Sequence, residues 1–304
     1  MANLIEYKKF SFINIDDPFF DSLKEDYPEF EEWFWRKSVQ GEEAIVQYDE
    51  EGHLQGFLYT KDESQEVDNN ITPVMKPKRR LKVGTFKIDA HDTRLGEKFI
   101  KKIMDRAIYE GFEEAYVTIF PKHNRLIDLL KRYGFKDYGT KQEELVLLKD
   151  FSVCVGNIVY DYPLIQPKHK RKFLLSIYPK FHTPLFSDSI LKNEVRNTED
   201  LVKDVSFSNS IHKVYVCFMP KTATLKKGDL IAIYRTNDGM GSARFRSVVT
   251  SICQVEEVRT KCDFLSIEEY LKYCKYYSIF KEYDLRKWYQ NDNLVVIKMT
   301  YNIA

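Results

Sequence analysis

Polar side chains that could act on a ligand are grouped in residues 89–96, between a strand pattern and a helix pattern. Asp89 and His91 follow the strand-like stretch 81–88, and Gly96 lies at the start of the helical pattern. A carboxylate or an imidazole at a strand end can act as a general base. The first turn of a helix leaves backbone N–H groups unpaired, and together with the helix dipole they favour an anion such as a pyrophosphate. A glycine there lets the backbone approach a phosphate, although it can equally belong to a tight turn.

Alternating elements surround this group. A stripe of Leu95, Phe99 and Ile103 predicts an amphipathic helix that ends at Gly111. The stretch "EEAYVTIF" then predicts a central strand, "HNRLIDLLKRYGF" a second helix that ends at Gly134, and "EELVLLKDF" a last strand.

The preceding residues predict a short helical entry and a hairpin. Asp17 as N-cap, followed by Pro18, begins the first of two aromatic-rich helices. Two strands around the turn at residues 50–52 form the hairpin, and residues 62–80 are polar and proline-bearing, which favours a loop.

The order of these elements resembles the GCN5-related N-acetyltransferase (GNAT) superfamily over roughly residues 1–150. Members bind acetyl-CoA with a Q/R-x-x-G-x-G/A segment, followed by a second helix that ends in a Gly-Phe dipeptide. Here the segment reads "HDTRLG", with His91 at the Gln/Arg position, Arg94 at the first glycine and Gly96 at the second. The family contacts the pyrophosphate mainly through backbone N–H groups, which Arg94 retains, and its guanidinium could add a charge-assisted hydrogen bond.

This resemblance implies a mixed sheet flanked by helices, with acetyl-CoA as cosubstrate. The residues expected to hold acetyl-CoA are Phe86, Ile88, Arg94, Leu95, Gly96, Glu97, Lys98, His123 and Asn124. The expected catalytic residues are Asp89, His91 and Tyr133.

The general acid is less defined than the cofactor segment. The tyrosine that many relatives use falls at Leu130 when the helices are aligned on Gly134, so Tyr133 is the alternative, unless it belongs to the core. Such an enzyme could also work by positioning its substrates and polarising the thioester through the backbone N–H groups of residues 83–88.

Charge differs between the halves of the chain. Residues 1–150 hold 24 Lys and Arg against 30 Asp and Glu, a net of −6, whereas residues 151–304 hold 23 against 16, a net of +7. The asymmetry favours two domains, of which the basic one would meet an anionic partner, although neighbouring domains often differ in this way. We expect domains at 1–150 and 176–304, with a proline-punctuated linker at 151–175.

Several short strands and a capped helix at Ser266 predict a small β-barrel for the second domain. The stretches "SIHKVYV", "LKKGDLIAIYRT" and "VTSICQVEEV" resemble PUA-like barrels of the ASCH and EVE type, although the G-x-K-x-x-E-x-R signature is absent. Such domains bind RNA or a modified base, which implies nucleic-acid contacts here. The candidates are Ser210, Lys213, Arg235 and Arg244. The fold class expected for the whole chain is therefore α+β.

Composition excludes several other classes of protein. No stretch approaches the roughly 20 apolar residues of a membrane span. Five cysteines without a CxxC pair and six scattered histidines predict reduced thiols and no metal site. The N-terminus lacks a secretory apolar segment, so we expect a cytoplasmic protein.

The leading hypothesis from sequence is an acetyl-CoA-dependent N-acetyltransferase of a primary amine. Its basic domain would bring it to a nucleic acid, for example tRNA, or to a protein bound there. The alternative is a non-catalytic nucleic-acid-binding protein with a degenerate CoA site.

Overall fold

A computed structural model describes residues 5–65, 68–89, 95–191 and 210–304. The chain divides into two compact units, Met1–Val153 (unit 1) and Cys154–Ala304 (unit 2). No helix within the described ranges is both long and apolar enough to cross a lipid bilayer.

Unit 1 is a mixed sheet with helices. Its described strands are β1 Ile5–Lys9, β2 Glu43–Tyr48, β3 Leu54–Asp62, β4 Ile71–Thr72, β5 Arg80–Ile88, β6 Glu114–Ile119, β7 Lys136–Lys141 and β8 Glu144–Asp150. Its described helices are α1 Asp21–Asp26, α2 Phe30–Val39, α3 Leu95–Tyr109 and α4 Asn124–Arg132. The strand order is β1-β2-β3-β5-β6-β8-β7-β4. β5 and β6 are parallel, whereas the other neighbouring pairs in this sheet are antiparallel.

The predicted entry to unit 1 is confirmed. The Asp17 carboxylate accepts a hydrogen bond of 2.9 Å from the backbone N–H of Phe19, capping a 3-10 helix at Pro18–Phe20 that continues into α1. The aromatic rings of this entry pack edge-on against Phe10 and Phe57 beneath β2 and β3. The hairpin of β2 and β3 is also as predicted.

Both predicted helix ends have the same backbone geometry. Gly111 and Gly134 have φ of +70° and +87°, a left-handed conformation that suits glycine. After each glycine, a phenylalanine N–H returns to the helix: Phe112 bonds the Ala107 carbonyl at 2.8 Å, and Phe135 bonds that of Leu130 at 3.2 Å. The Gly-Phe dipeptide therefore has a structural role as a helix C-cap.

Three strands of unit 1 were not predicted, namely β1, β4 and β7. β7 has the sequence "KDYGTK", which lacks an alternating apolar pattern because most of it is exposed or half-buried. Its pairing with β8 on one side and β4 on the other depends on backbone hydrogen bonds. β4 lies within the stretch that was predicted to be a loop.

Unit 2 is built on a second mixed sheet. Its described strands are β9 Lys172–Ile177, β10 His212–Cys217, β11 Leu230–Arg235, β12 Val248–Thr260 and β13 Val295–Ile303. Its described helices are α5 Ile158–Asp161, α6 Pro179–Leu185, α7 Ala243–Arg246, α8 Ile267–Lys275 and α9 Glu282–Trp288. The strand order is β10-β13-β12-β11-β9, with β9 and β11 parallel.

The predicted closed barrel is not found in unit 2. The end strands of the sheet, β10 and β9, are not paired with each other in the part of the chain that the structure describes. Residues 151–175, expected to be a linker, contain α5 and the beginning of β9. The cap of α8 is confirmed, because the Ser266 hydroxyl accepts a hydrogen bond from the Glu269 N–H at 3.2 Å. The α+β class is confirmed by the two units.

Candidate functional site

β5 and β6 run side by side along only the first half of β5. Residues 80–83 pair with residues 114–117, whereas β5 continues to Ile88 and β6 to Ile119 without further pairing between them. We call this opening the β5–β6 fork. Beyond Val83, the edge of β5 that faces β6 has no strand partner among the described residues. Backbone groups on such an edge need a hydrogen-bond partner, which a ligand can supply.

A β-bulge lies at the point where the fork opens. Tyr59 of β3 is opposite Thr85 and Thr60 is opposite Val83, so Gly84 has no opposite residue. An extra residue bends a strand and increases its twist, which turns the second half of β5 away from β6. Gly84 is exposed, and a Cβ atom there would lie 2.9 Å from Cδ1 of Tyr59.

This bulge was not predicted from the sequence. Residues 83–88 were expected to form an uninterrupted strand, and Gly84 had no assigned role. The available signal was the glycine itself, because a lone glycine within a strand pattern often marks a bulge or a close approach of backbone.

The first turns of α3 pack against the forked half of β5. Phe86 of β5 contacts Phe99 of α3 with ring centroids 5.8 Å apart, and Cδ1 of Ile88 would lie 3.5 Å from a Cβ atom on Gly96. Leu95, the first described residue of this helix, is almost fully buried. The beginning of α3 is therefore beside the fork.

The structure gives Gly96 a packing role. A Cβ atom at residue 96 would lie 2.6 Å from Cδ2 of Leu129 in α4, far closer than carbon atoms normally pack. A side chain at residue 96 would therefore displace the half-buried Leu129 side chain. The interpretation that Gly96 makes room for a phosphate is not needed to explain the residue.

Two charged side chains in the first turn of α3 are largely removed from solvent. Glu97 is 8% exposed and Lys98 is 7% exposed. No carboxylate of the described residues lies within ion-pair distance of Lys98, and burial lowers the pKa of its ammonium group to about 8. A buried cation would gain from a bound phosphate, which stabilises its charged form.

The remaining candidates for binding acetyl-CoA lie where α4 begins. His123 precedes the helix and is exposed, with Nε2 3.4 Å from a carboxylate oxygen of Asp26. Asn124, the first residue of α4, is also exposed.

The catalytic candidates are placed differently from one another. Asp89 directly follows β5, its side chain is about half exposed, and it lies 3.7 Å from the Lys87 ammonium group. Tyr133 is completely buried at the end of α4, so its position favours the core role over that of general acid. His91 and Arg94 lie outside the described residues.

A carboxylate and two aromatic rings lie beside the end of β6 and were not predicted. Phe120 directly follows β6 and contacts Tyr27, with ring centroids 5.3 Å apart. The Tyr27 hydroxyl donates a hydrogen bond of 2.6 Å to Glu144. Burial, and then the Glu144 carboxylate, raise the pKa of Tyr27, so the hydroxyl stays protonated. Aromatic faces next to carboxylates are suited to binding a cationic amine.

In unit 2, three of the four predicted nucleic-acid contacts are buried. Ser210 and Lys213 are 1% exposed, and Arg235 is not exposed at all. Arg235 is 2.9 Å from the Asp238 carboxylate and donates to the Arg246 carbonyl at 2.7 Å. A phosphate chain on the surface cannot reach these three groups. Arg244 of α7 is exposed.

Among the described residues, no three His, Cys, Asp or Glu side chains are grouped closely enough to hold a metal ion.

Comparison with known proteins gives a likeness to solved structures only. No family model matches the chain, and no curated protein matches it. A GNAT-family acetyltransferase from Listeria monocytogenes is similar to 48% of this chain and 94% of its own, with 13% identity and a TM-score of 0.33. PaiA N-acetyltransferase from Thermoplasma acidophilum, in complex with coenzyme A, is similar to 48% of this chain and 99% of its own, with 13% identity and a TM-score of 0.33.

A third solved structure of this kind is Naa20 from Chaetomium thermophilum in complex with a bisubstrate analogue. It covers 48% of this chain and 86% of its own, with 12% identity and a TM-score of 0.36. At such identities and TM-scores these likenesses carry no statement about activity.

Proposed function

We propose that unit 1 is an acyl-CoA-dependent N-acyltransferase that uses acetyl-CoA as donor and a primary amine as acceptor. The observation that carries this proposal is the β5–β6 fork, which opens at the Gly84 bulge and has the start of α3 beside it. An elongated ligand with amide groups and a phosphate at one end fits these features. Its amides would pair with the free edge of β5, and its pyrophosphate would accept hydrogen bonds from the first turn of α3.

The chemical step needs little from the side chains. A backbone N–H of β5 near Gly84 would hydrogen-bond the thioester oxygen, where negative charge develops during the attack. The neutral amine attacks the thioester carbon, a C–N bond forms, and the C–S bond breaks to release CoA as a thiolate. The proton of the amine passes to Asp89 or to a water molecule held there, and the thiolate takes up a proton from solvent.

The acceptor is proposed to be an amine because of the group beside β6. Glu144 is acidic, and Tyr27 with Phe120 supplies aromatic surface at the same place, whereas Asp26 is already paired with Lys122. A protonated amine would be attracted there before it loses its proton.

Calorimetric titration with acetyl-CoA tests the proposal. We expect micromolar binding to the full chain, loss of at least an order of magnitude in affinity for Arg94→Glu, and unchanged affinity for Arg36→Glu. Arg36 is exposed on α2, which packs against Phe57 of β3, whereas α3 packs against Gly56 on the opposite face of that strand, so this control makes the same change of charge away from the start of α3. Absence of acetyl-CoA binding in the unmodified protein would overturn the proposal.

Turnover separates an enzyme from a protein that only binds CoA. Release of free thiol in the presence of amines, lowered by Asp89→Asn without loss of acetyl-CoA binding, is the expected result. Binding without thiol release for any amine would instead favour the non-catalytic alternative. Targeting to a nucleic acid by unit 2 stays a prediction.

A further inference from the structure

Two basic segments of unit 2 meet at one end of its sheet. β9 and β11 are parallel, with Lys172 opposite Leu230, so the residues that precede the two strands lie at the same edge. The segment before β9 contains Lys168, Lys170 and Arg171, and the segment before β11 contains Lys226 and Lys227. We call Lys168, Lys170, Lys172, Lys226 and Lys227 together the basic edge.

An ion pair fixes the two segments against each other. The Arg171 guanidinium donates from Nε to the Asp229 carboxylate at 2.9 Å, and from Nη2 to the Thr224 carbonyl, also at 2.9 Å. The same carboxylate accepts a hydrogen bond from the backbone N–H of Lys226 at 2.6 Å. The positions of the two basic segments are thus held by the fold.

The charges of the basic edge are not neutralised within the described part of the chain. All five of its lysines are exposed, and no described carboxylate lies within ion-pair distance of any of them. The nearby carboxylate, Asp229, is occupied by Arg171. Five exposed lysines on two segments at the same end of the sheet produce a positive potential that attracts a polyanion.

A cavity of about 620 Å³ opens at the same place. Lys226 and Lys227 line it together with Asn157, Lys298, Glu256 and Glu257, and its apolar walls are Ile158, Val159, Leu225 and Val258. This volume is within the range of roughly 300–1,000 Å³ that is usual for small-molecule sites.

The two carboxylates of this cavity are held in place by other side chains. Glu256 lies in a β-bulge between β12 and β13, with His212 Nδ1 2.5 Å and Lys298 Nζ 3.2 Å from its oxygens. Glu257 accepts hydrogen bonds from Arg259 and Tyr273, each at 2.8 Å. Each carboxylate has further lone pairs with which to accept from a ligand.

We propose that unit 2 binds single-stranded nucleic acid, with its phosphates along the basic edge and one unpaired base in the adjoining cavity. Lysines can hold successive phosphates of a strand, and carboxylate oxygens can accept from the exocyclic amino group of a base. An anionic membrane is less suited, because the cations border a polar cavity instead of a continuous apolar face that could enter a lipid layer. This inference is independent of acyl transfer by unit 1.

Fluorescence anisotropy with a labelled single-stranded RNA of mixed sequence, about 20 nucleotides long, tests the proposal on the full chain. The test variant is Lys226→Gln/Lys227→Gln, and the matched control is Lys272→Gln/Lys275→Gln on α8, which neutralises two exposed lysines elsewhere in unit 2. We expect the test variant to bind the RNA about tenfold more weakly. The slope of log affinity against log salt concentration should become less steep by about 1.4, since each lost phosphate contact reduces it by about 0.7. The control is expected to bind as the unmodified protein does.

Two further titrations test the nature of the partner. A duplex RNA of the same length is expected to bind at least an order of magnitude more weakly, because its bases cannot enter the cavity. Equal affinity for the duplex would overturn the role of the cavity, and equal losses in the test and control variants would overturn the role of the basic edge. Binding to phosphatidylglycerol vesicles with no binding to RNA would overturn the choice of partner. Thermal unfolding of both variants confirms that the glutamine substitutions leave the fold intact.

Discussion

Gly96 of α3 and Leu129 of α4 are so close that a Cβ atom on residue 96 would lie 2.6 Å from Cδ2 of Leu129. Contacts between carbon atoms are normally about 3.5–4.0 Å. The Leu129 side chain therefore occupies the space that a side chain at residue 96 would need. A bulky substitution there would disturb this packing as well as any ligand, so it is a poor test of phosphate binding.

Gly96→Ala is expected to destabilise unit 1 by about 1 kcal/mol, since the new methyl group displaces the half-buried Leu129 side chain. The cost should largely disappear in the background of Leu129→Ala, which removes the opposing atoms. Urea unfolding of the unmodified protein, the two single variants and the double variant gives the coupling free energy between residues 96 and 129. Additive effects, with no rescue in the double variant, would show that the contact does not limit residue 96.

The bulge at Gly84 predicts a different result from substitution. A Cβ atom there would meet the ring of Tyr59, which is buried within the aromatic cluster below β3 and cannot move freely. We expect Gly84→Ala to alter the bulge and to weaken acetyl-CoA binding by about tenfold, a loss of about 1.4 kcal/mol.

Calorimetric titration measures this loss, and Ile71→Ala serves as control. Ile71 is completely buried in β4, which pairs with β7 at the far end of the sheet, so its truncation lowers stability without touching the fork. If both variants bound acetyl-CoA as well as the unmodified protein does, the bulge would have no part in binding.

Lys98 predicts how acetyl-CoA binding depends on pH. Burial lowers the pKa of its ammonium group to about 8, whereas an exposed lysine has a value near 10.4. Below pH 8 the group is charged and attracts the pyrophosphate, and above pH 8 it loses its proton in the free protein. Bound phosphate raises this pKa, so affinity should fall as the pH rises from about 8 to 10.

The measurement is acetyl-CoA titration at several pH values, compared with Lys98→Gln. The phosphate groups of the ligand complete their own ionisation near pH 6 and add no change in this interval. The variant is expected to bind more weakly at pH 7 and to lose the dependence on pH above 8. An unaltered pH profile in the variant would remove Lys98 from the site.

Local signals in the sequence predicted the elements that position the site. The Asp17 cap, the glycines that end α3 and α4, and the apolar stripe of α3 depend on neighbouring residues alone, and all were confirmed. The fork was not predicted, because the separation of β5 from β6 depends on pairing between residues that are distant in sequence. β7 was missed for a different reason, since its exposed and half-buried residues lack an alternating apolar pattern.

Burial of polar residues was the other feature that sequence could not supply. Lys213 and Arg235 were chosen as nucleic-acid contacts for their charge, yet both lie inside unit 2. The basic run before β9 was assigned to a linker, because nothing local shows that a parallel strand pair brings it next to Lys226. Composition predicted that unit 2 carries a net positive charge. Where its exposed lysines lie depends on the strand topology.

His182 of α6 predicts acid sensitivity of unit 2. It is completely buried, and its Nε2 lies 2.7 Å from the Thr250 hydroxyl. Burial, and then the charge of Arg235, lower the pKa of the imidazole to about 4. In the unfolded chain the group binds a proton near pH 6.5, so the unfolded state holds more protons than the folded state between about pH 6.5 and 4.

The free energy of unfolding of unit 2 should therefore fall as the pH is lowered from about 6.5 to 4, by about 3 kcal/mol in total for this group. Urea unfolding across this range, compared with His182→Gln, isolates the contribution. Glutamine can keep the hydrogen bond to Thr250 through its own Nε2 but does not titrate. The difference in stability between the two proteins should shift in favour of the variant as the pH falls, because only histidine in the unfolded chain gains a proton. A difference that stays constant from neutral pH to pH 4 would mean that His182 accepts a proton in the folded protein as readily as in the unfolded chain.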